Sequence, residues 1–360
     1  MYYIFVHGLS GWGSYDKICR RVPYWGMFGG DLMKYLRKQG LPSYAASVSP
    51  EGSAWDRACE LYAQLTGTVV DYGKAHSERC GHKRFGRDFS HQPLIPNWQN
   101  GERIVLLGHS FGGTTVRLFS ELLANGSAEE RAITDEQDLS PLFRGGQGDR
   151  LHAIVTLAAP TNGTTAYDLN DDPNFDPNSI KLSLWDRFWG NFFSNRKTAD
   201  LDGRAKEDYA AYDMHIDQAL ALNDRISTLP WTYYFAVPCT ATRAGEDGVH
   251  LPIRSIMEPM FCRSSLRMGR YMGSTVGGLL ISPEWRENDG LVNTVSAMAP
   301  MDAPGIAYDP DRVRPGIWQL MPTYHGDHIS LQGGIIKINN IRPFYLKLLK
   351  IINSLADKEM

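Results

Sequence analysis

The chain has 360 residues and a net charge of −3, and it is 42% hydrophobic and 21% charged. That length accommodates one large α/β domain or two smaller ones. No basic stripe interleaved with aromatics points to nucleic acid, five scattered cysteines without a C-x-x-C pair make no disulfide framework, and no run has the length of a transmembrane helix.

Residues 2–6, YYIFV, read as a buried strand entering "HGLSGWG". No signal-peptide pattern precedes that strand, so a cytoplasmic chain and one whose leader was removed both fit. Residues 31–39 place Leu32, Met33, Tyr35 and Leu36 on a helix stopped by Gly40. A strand is expected at 43–49 and a helix at 53–66. Residues 67–100 are polar, rich in His, Arg and Gly and lack clear periodicity, as an inserted excursion would be. Ile104, Val105, Leu106 and Leu107 form the continuous apolar run of a strand buried on both faces. Val116, Phe119, Leu122 and Leu123 then recur at helical spacing, with Asn125-Gly126 as the stop. Two more strands are expected at 152–160 and 232–237. Strands alternating with helices predict right-handed crossovers and a mostly parallel sheet.

Between the last two strands lies an insertion at about 164–230. Its segment "SIKLSLWDRFWGNFF" concentrates Trp185, Phe188, Trp189, Phe192 and Phe193. Two readings fit equally: a lid over an apolar site, or a helix packed in the core.

The most crowded turn is "LLGHSFGGTT", residues 106–115. Gly108, Ser110 and Gly112 match G-x-S-x-G in strand–turn–helix context, the nucleophile elbow that lifts a serine hydroxyl above a sheet. A phosphate-cradling loop would need a following G-K-[ST], which is absent. An elbow serine needs a base and an orienting acid in the chain order Ser, Asp/Glu, His. "RENDGLVN" offers Asp289 among many acids, and "YHGDHIS" offers His325 and His328, equally suited. Two main-chain N–H groups would form the oxyanion hole: Phe111 after the nucleophile, and Leu9 in the loop after the first strand.

The motifs "GLSGWG", "YWGMFGGDL", "WDRACELYAQLTGTVVDYGKAHSERCGHKRFGR", "GHSFGG", "SPLFRGG", "AAPTNGTT", "ENDGLVNTVS" and "GDH" are together similar to the true lipases of staphylococci and thermophilic bacilli. The likeness runs from about residue 3 to the final helix and is weakest at 165–205 and 240–275. It implies one α/β-hydrolase domain over 1–360, with a helical lid insertion at 164–230 and a zinc-binding excursion at 67–100. It implies a lipase-type carboxylic ester hydrolase acting on lipid esters at a lipid–water interface, placed outside the cell. Its triad falls on Ser110, Asp289 and His328, which sets His325 aside. Its structural zinc falls on Asp56, His76, His82 and Asp213, an N₂O₂ set with no position left for water; His91 and His215 read as surface residues. The family's calcium site does not carry over, since Ser330 and Ile335-Ile336 stand where carboxylates belong. Two alternatives stand beside this reading. One is an esterase for short-chain or polymeric esters, and the other is a non-catalytic α/β-hydrolase scaffold used for binding.

Overall fold

Seven short runs, most of them apolar, pair edge to edge in this computed structural model, which describes residues 1–96, 98, 101–169 and 203–356. Strands β1 (Tyr2–Val6), β2 (Ser43–Ala46), β3 (Ile104–His109), β4 (Leu151–Leu157), β5 (Tyr233–Val237), β6 (Gly305–Ala307) and β7 (Trp318–Leu320) form one sheet. Its order is β6-β7-β5-β4-β3-β1-β2, and every neighbouring pair is parallel. The five strands expected from sequence are all present. The two strands β6 and β7 at one end of the sheet were not read from sequence, because three residues are too few to show a period.

The pleat sends alternate side chains of each central strand into two separate cores. Ile4, Val6, Ile104 and Leu106 belong to one, Tyr3, Phe5, Val105 and Leu107 to the other. The main helices are α1 (Leu32–Lys38), α2 (Ala54–Thr66), α3 (Lys74–Cys80), α4 (Phe111–Asn125), α5 (Cys262–Met268) and α6 (Arg342–Ala356). Residues of α2 and α4 pack into the first core, and residues of α1 and α6 into the second. This is a parallel sheet covered on both faces, an α/β-hydrolase type of architecture.

Local signals set the helix limits. Ser53 caps α2 by accepting from Asp56 N, and Gly67 ends it at φ +63°. The 67–100 excursion is built on an antiparallel pair, 69–71 with 85–88, that encloses α3. Of the 164–230 insertion, residues 164–169 and 203–230 are described and contribute short helical turns. The aromatic segment 182–193 lies outside the described residues. All five cysteines are free thiols. Among the described residues no helix is long and apolar enough to cross a membrane.

Candidate active site

Ser110 sits between β3 and α4 at φ +54°, a backbone region that side chains disfavour. Close packing forces the turn and the choice of glycine around it. A Cβ on Gly108 would lie 2.2 Å from Gly112 O, and one on Gly112 would lie 2.3 Å from Val6 O. A Cβ on Gly8 would come within 2.6 Å of Ser110 Cβ, so the loop after β1 also closes directly on the serine.

Three distant segments meet here. Ser110 Oγ lies 2.8 Å from His328 Nε2, and His328 Nδ1 lies 2.8 Å from Asp289 Oδ2. The other oxygen of Asp289 accepts from Leu291 N at 3.0 Å and Val292 N at 2.7 Å, which fixes the carboxylate's orientation. His328 N also donates to Asp289 O, joining the two loops through main chain as well. Of the two histidines left open by the residue pattern, His328 reaches the serine. His325 is exposed and lies in a short pairing with residues 239–240.

A buried network behind these groups was not foreseen from sequence. His109 is fully buried, and burial together with the neighbouring His328 pushes its pKa well below the ordinary value, so its ring is neutral. Its Nε2–H then donates to His328 O at 2.7 Å, while Nδ1 accepts from Tyr24 Oη at 2.8 Å. Tyr24 Oη in turn accepts from Gly8 N at 2.9 Å and Gln332 Nε2 at 2.8 Å. One tyrosine thus ties the loop after β1 to the histidine loop. On the other side Arg57, buried in α2, donates to His7 O, to Ser49 O at 3.0 Å and to Thr115 Oγ1 at 2.9 Å. Leu9 and Phe111 are therefore held on adjoining rigid elements beside Ser110.

The histidine loop has a second clamp. Glu258, almost fully buried, receives Ile335 N, Ile336 N and Lys337 N on Oε1 at 2.7, 2.7 and 2.8 Å. Its own N–H donates to Asp327 Oδ2 at 2.6 Å, and Asp327 Oδ1 accepts from Ser330 Oγ at 2.8 Å. Burial, with Glu258 and Asp289 nearby, raises the Asp327 pKa to about 6 against the hydrogen bonds that lower it.

Ser110 and His328 open onto a cleft of about 590 Å³. Leu9, Trp12, Met27, Met260, Phe261 and Ile335 give it apolar walls, and Arg263 and Arg267 of α5 also line it. An apolar cleft with a few polar groups converging at one point is what a hydrophobic ester requires.

A second cluster lies apart from the cleft. Ligand atoms of Asp56, His76, His82 and Asp208 fall within 4.8 Å of one another. Asp213, the fourth member expected from the sequence, is not in the group. It accepts from Ala54 N at 2.8 Å, at the start of α2, and burial raises its pKa to about 7. Asp208 takes the fourth place because its O and Oδ1 accept from the N and Oγ of Ser53, the α2 cap, one turn before Asp56. His91 is exposed and His215 half-buried, and neither joins the group. The chemistry of the four suits a cation. His82 Nε2 is buried without a hydrogen-bond partner, 3.4 Å from Asp208 and 3.8 Å from Asp56. Burial disfavours a charged His76, yet Asp208 and Asp56 outweigh it and raise the pKa. Arg204 Nη1 lies 2.6 Å from Asp56 Oδ2 and 3.2 Å from Asp208 Oδ2.

Comparison with known proteins places this geometry in a lineage. The model of the "Lipase-like, C-terminal domain" family matches residues 2–202 and 197–342. Lipase 2 of Staphylococcus aureus is 33% identical over 92% of this chain and 50% of its own length. The chain thus spans about half the length of the curated relatives it matches. Among solved structures, EstA from Clostridium botulinum is 30% identical with a TM-score of 0.83, covering 98% of this chain and 86% of that one. The Staphylococcus hyicus lipase structure is 28% identical with a TM-score of 0.81, covering 99% and 97%.

Proposed function

We propose, from the premise that this chain belongs to the lipase-like C-terminal domain family, that it is a serine ester hydrolase of lipase type. The observation that carries this is the relay of two 2.8 Å contacts from Ser110 through His328 to Asp289, open to an apolar cleft. Ser110 Oγ attacks the ester carbonyl carbon as His328 Nε2 takes its proton. Asp289 holds Nδ1–H and stabilises the imidazolium that forms. The N–H groups of Leu9 and Phe111 receive the oxyanion. His328 then protonates the leaving alkoxide. Water, deprotonated by the same nitrogen, releases the acid from Ser110.

The apolar walls support water-insoluble esters of lipids as substrates. A lid role for 164–230 and a place outside the cell belong to the same proposal and rest on the family resemblance. Asp56, His76, His82 and Asp208 would hold one Zn²⁺, which supplies a structural cross-link when bound, since four protein ligands leave no open position.

Replacing Ser110 or His328 with Ala is expected to lower kcat on a soluble ester by roughly 10⁴-fold. Asp289→Asn is expected to cost somewhat less. Near-normal turnover by the Ser110→Ala protein would overturn the proposal. Hydrolysis measured across acyl lengths, dissolved and emulsified, then defines the substrate.

A further inference from the structure

Asp56 and Asp208 are 1% and 0% exposed, yet their carboxylates share one group with His76 and His82. Carboxylates brought together out of water repel and have lost their hydration, so they stay ionised only against positive partners. An imidazole is such a partner only when protonated. Arg204 is one at any pH the fold meets. Its Nη1 contacts Asp56 Oδ2 and Asp208 Oδ2 together, so a single nitrogen spans both acids. The other two oxygens, Asp56 Oδ1 and Asp208 Oδ1, lie 3.2 and 3.1 Å from His76 Nε2. Among the described residues, no other Lys or Arg pairs with either carboxylate.

The guanidinium is delivered by pinned main chain. Ala205 N donates to Cys80 O at 3.0 Å, at the end of α3, the helix that carries His76. Asp208 N donates back to Ala205 O at 3.0 Å, and Ser53 N and Oγ donate to Asp208 O and Oδ1 at 3.1 and 2.8 Å. Residues 204–208 are thus tied to both α3 and the start of α2. The Arg204 side chain is 22% exposed, so solvent screens its charge only in part.

We propose that Arg204 is the group's own counter-cation: it holds the two carboxylates together in the metal-free chain and competes with a metal ion for them. This rests on the reading of the four ligands as a zinc site. With neutral imidazoles, a divalent cation takes the acids and Arg204 from one negative charge to one positive. Without the arginine the same ion would take the two acids from two negative charges to none. A unit charge this close in a buried setting changes a cation's affinity by more than tenfold. Zinc therefore enters a site already partly neutralised, and the excursion keeps its attachment to residues 204–208 after zinc leaves.

The test compares the whole native chain with Arg204→Met, which keeps much of the stem without the charge, and Arg204→Gln, which keeps a hydrogen-bond donor without the charge. Zinc affinity is measured at one pH by competition with a chromophoric chelator, and Tm is recorded for chelator-treated and zinc-loaded samples. Both variants are expected to bind zinc roughly tenfold or more tightly than the native chain. Their metal-free Tm is expected to fall by a few degrees, because a buried pair has been broken. The gap between metal-free and zinc-loaded Tm should therefore widen, as tighter binding to the folded chain requires. If Arg204→Met does not fold without metal, Arg204→Gln carries the comparison. Variants that bind zinc as the native chain does, or more weakly, would overturn the proposal, since Arg204 would then merely orient the ligands. An unchanged metal-free Tm would overturn it equally. Zinc held by the variants and not by the native chain would support it in its strongest form. If no chain binds zinc, the metal reading itself fails and the proposal falls with it, a result distinct from native and variant chains binding zinc alike.

Discussion

At the scale of single residues, what the sequence revealed depended on how local the signal was. Ser110 lies inside a motif whose glycines have one physical use, so it was legible from ten residues. Asp289 and His328 carry no such frame. Asp289 was one acid among many and His328 was matched by His325, until the family resemblance chose between them. Tyr24, His109, Gln332 and Glu258 were illegible, because each finds its partners across tens to hundreds of residues and no spacing rule describes that. Their roles are nonetheless testable. Tyr24→Phe removes the acceptor of Gly8 N and the donor to His109 while keeping the ring. The expected loss is about tenfold in kcat on a soluble ester, in line with one buried N–H left unpaired, with KM little changed. A parallel fall in KM affinity and Tm would instead mean the tyrosine serves only packing.

Asp327 gives a pH dependence whose sign is fixed. Its folded pKa is raised to about 6 from an ordinary 3.8. Between those values the folded chain binds more protons than the unfolded one, so this group's contribution to stability is full below pH 4 and is lost as pH rises through 6. Stability of the native chain relative to Asp327→Asn should therefore fall between pH 4 and 6, by at most about 1.4 kcal/mol per pH unit. Urea unfolding at several pH values measures it, and a rising difference would contradict the assignment.

At the scale of elements, the elbow and the excursion differ in how far residue type determined them. In the elbow, the main chain of Gly112 and Gly113 occupies the space a Cβ on Gly108 would need, so Gly108→Ala is expected to destabilise by about 1–3 kcal/mol, read as a lower Tm with activity falling alongside it. In the excursion the helix α3 and its flanking strands were missed, because polar residues on a small two-stranded unit show no apolar period. Of the metal group implied by the resemblance, Asp56, His76 and His82 lie together in the structure, with Asp208 rather than Asp213 beside them. Two acids five residues apart, Asp208 and Asp213, both end at the N-terminus of α2, and only packing decides which faces the histidines. One zinc per chain is expected by elemental analysis of the native protein and of Asp213→Asn, but not of Asp208→Ala. A chelator should lower Tm before it lowers activity, as metal that binds only the folded arrangement adds to folding stability. Zinc retained by Asp208→Ala and lost by Asp213→Asn would reverse the assignment. Added calcium should leave Tm unchanged, since Ser330, Ile335 and Ile336 offer no carboxylate where the family's calcium site would need one.

At the scale of the whole molecule, the parallel sheet was legible because buried strands between helices leave long apolar signatures. Only its short outer edge, β6 and β7, escaped. The order Ser, Asp, His along the chain then follows from topology: each group lies in a turn or loop C-terminal to a strand of the sheet, so distant segments converge at one end. That convergence is the central claim, and labelling tests it most directly. The native chain is incubated with an alkyl phosphonate ester, and the adduct is located by peptide mass spectrometry while soluble-ester turnover is recorded. One phosphonyl group per chain is expected, on Ser110, with turnover lost in proportion and no adduct in Ser110→Ala or His328→Ala. Labelling at another residue, or turnover that survives complete modification of Ser110, would contradict it.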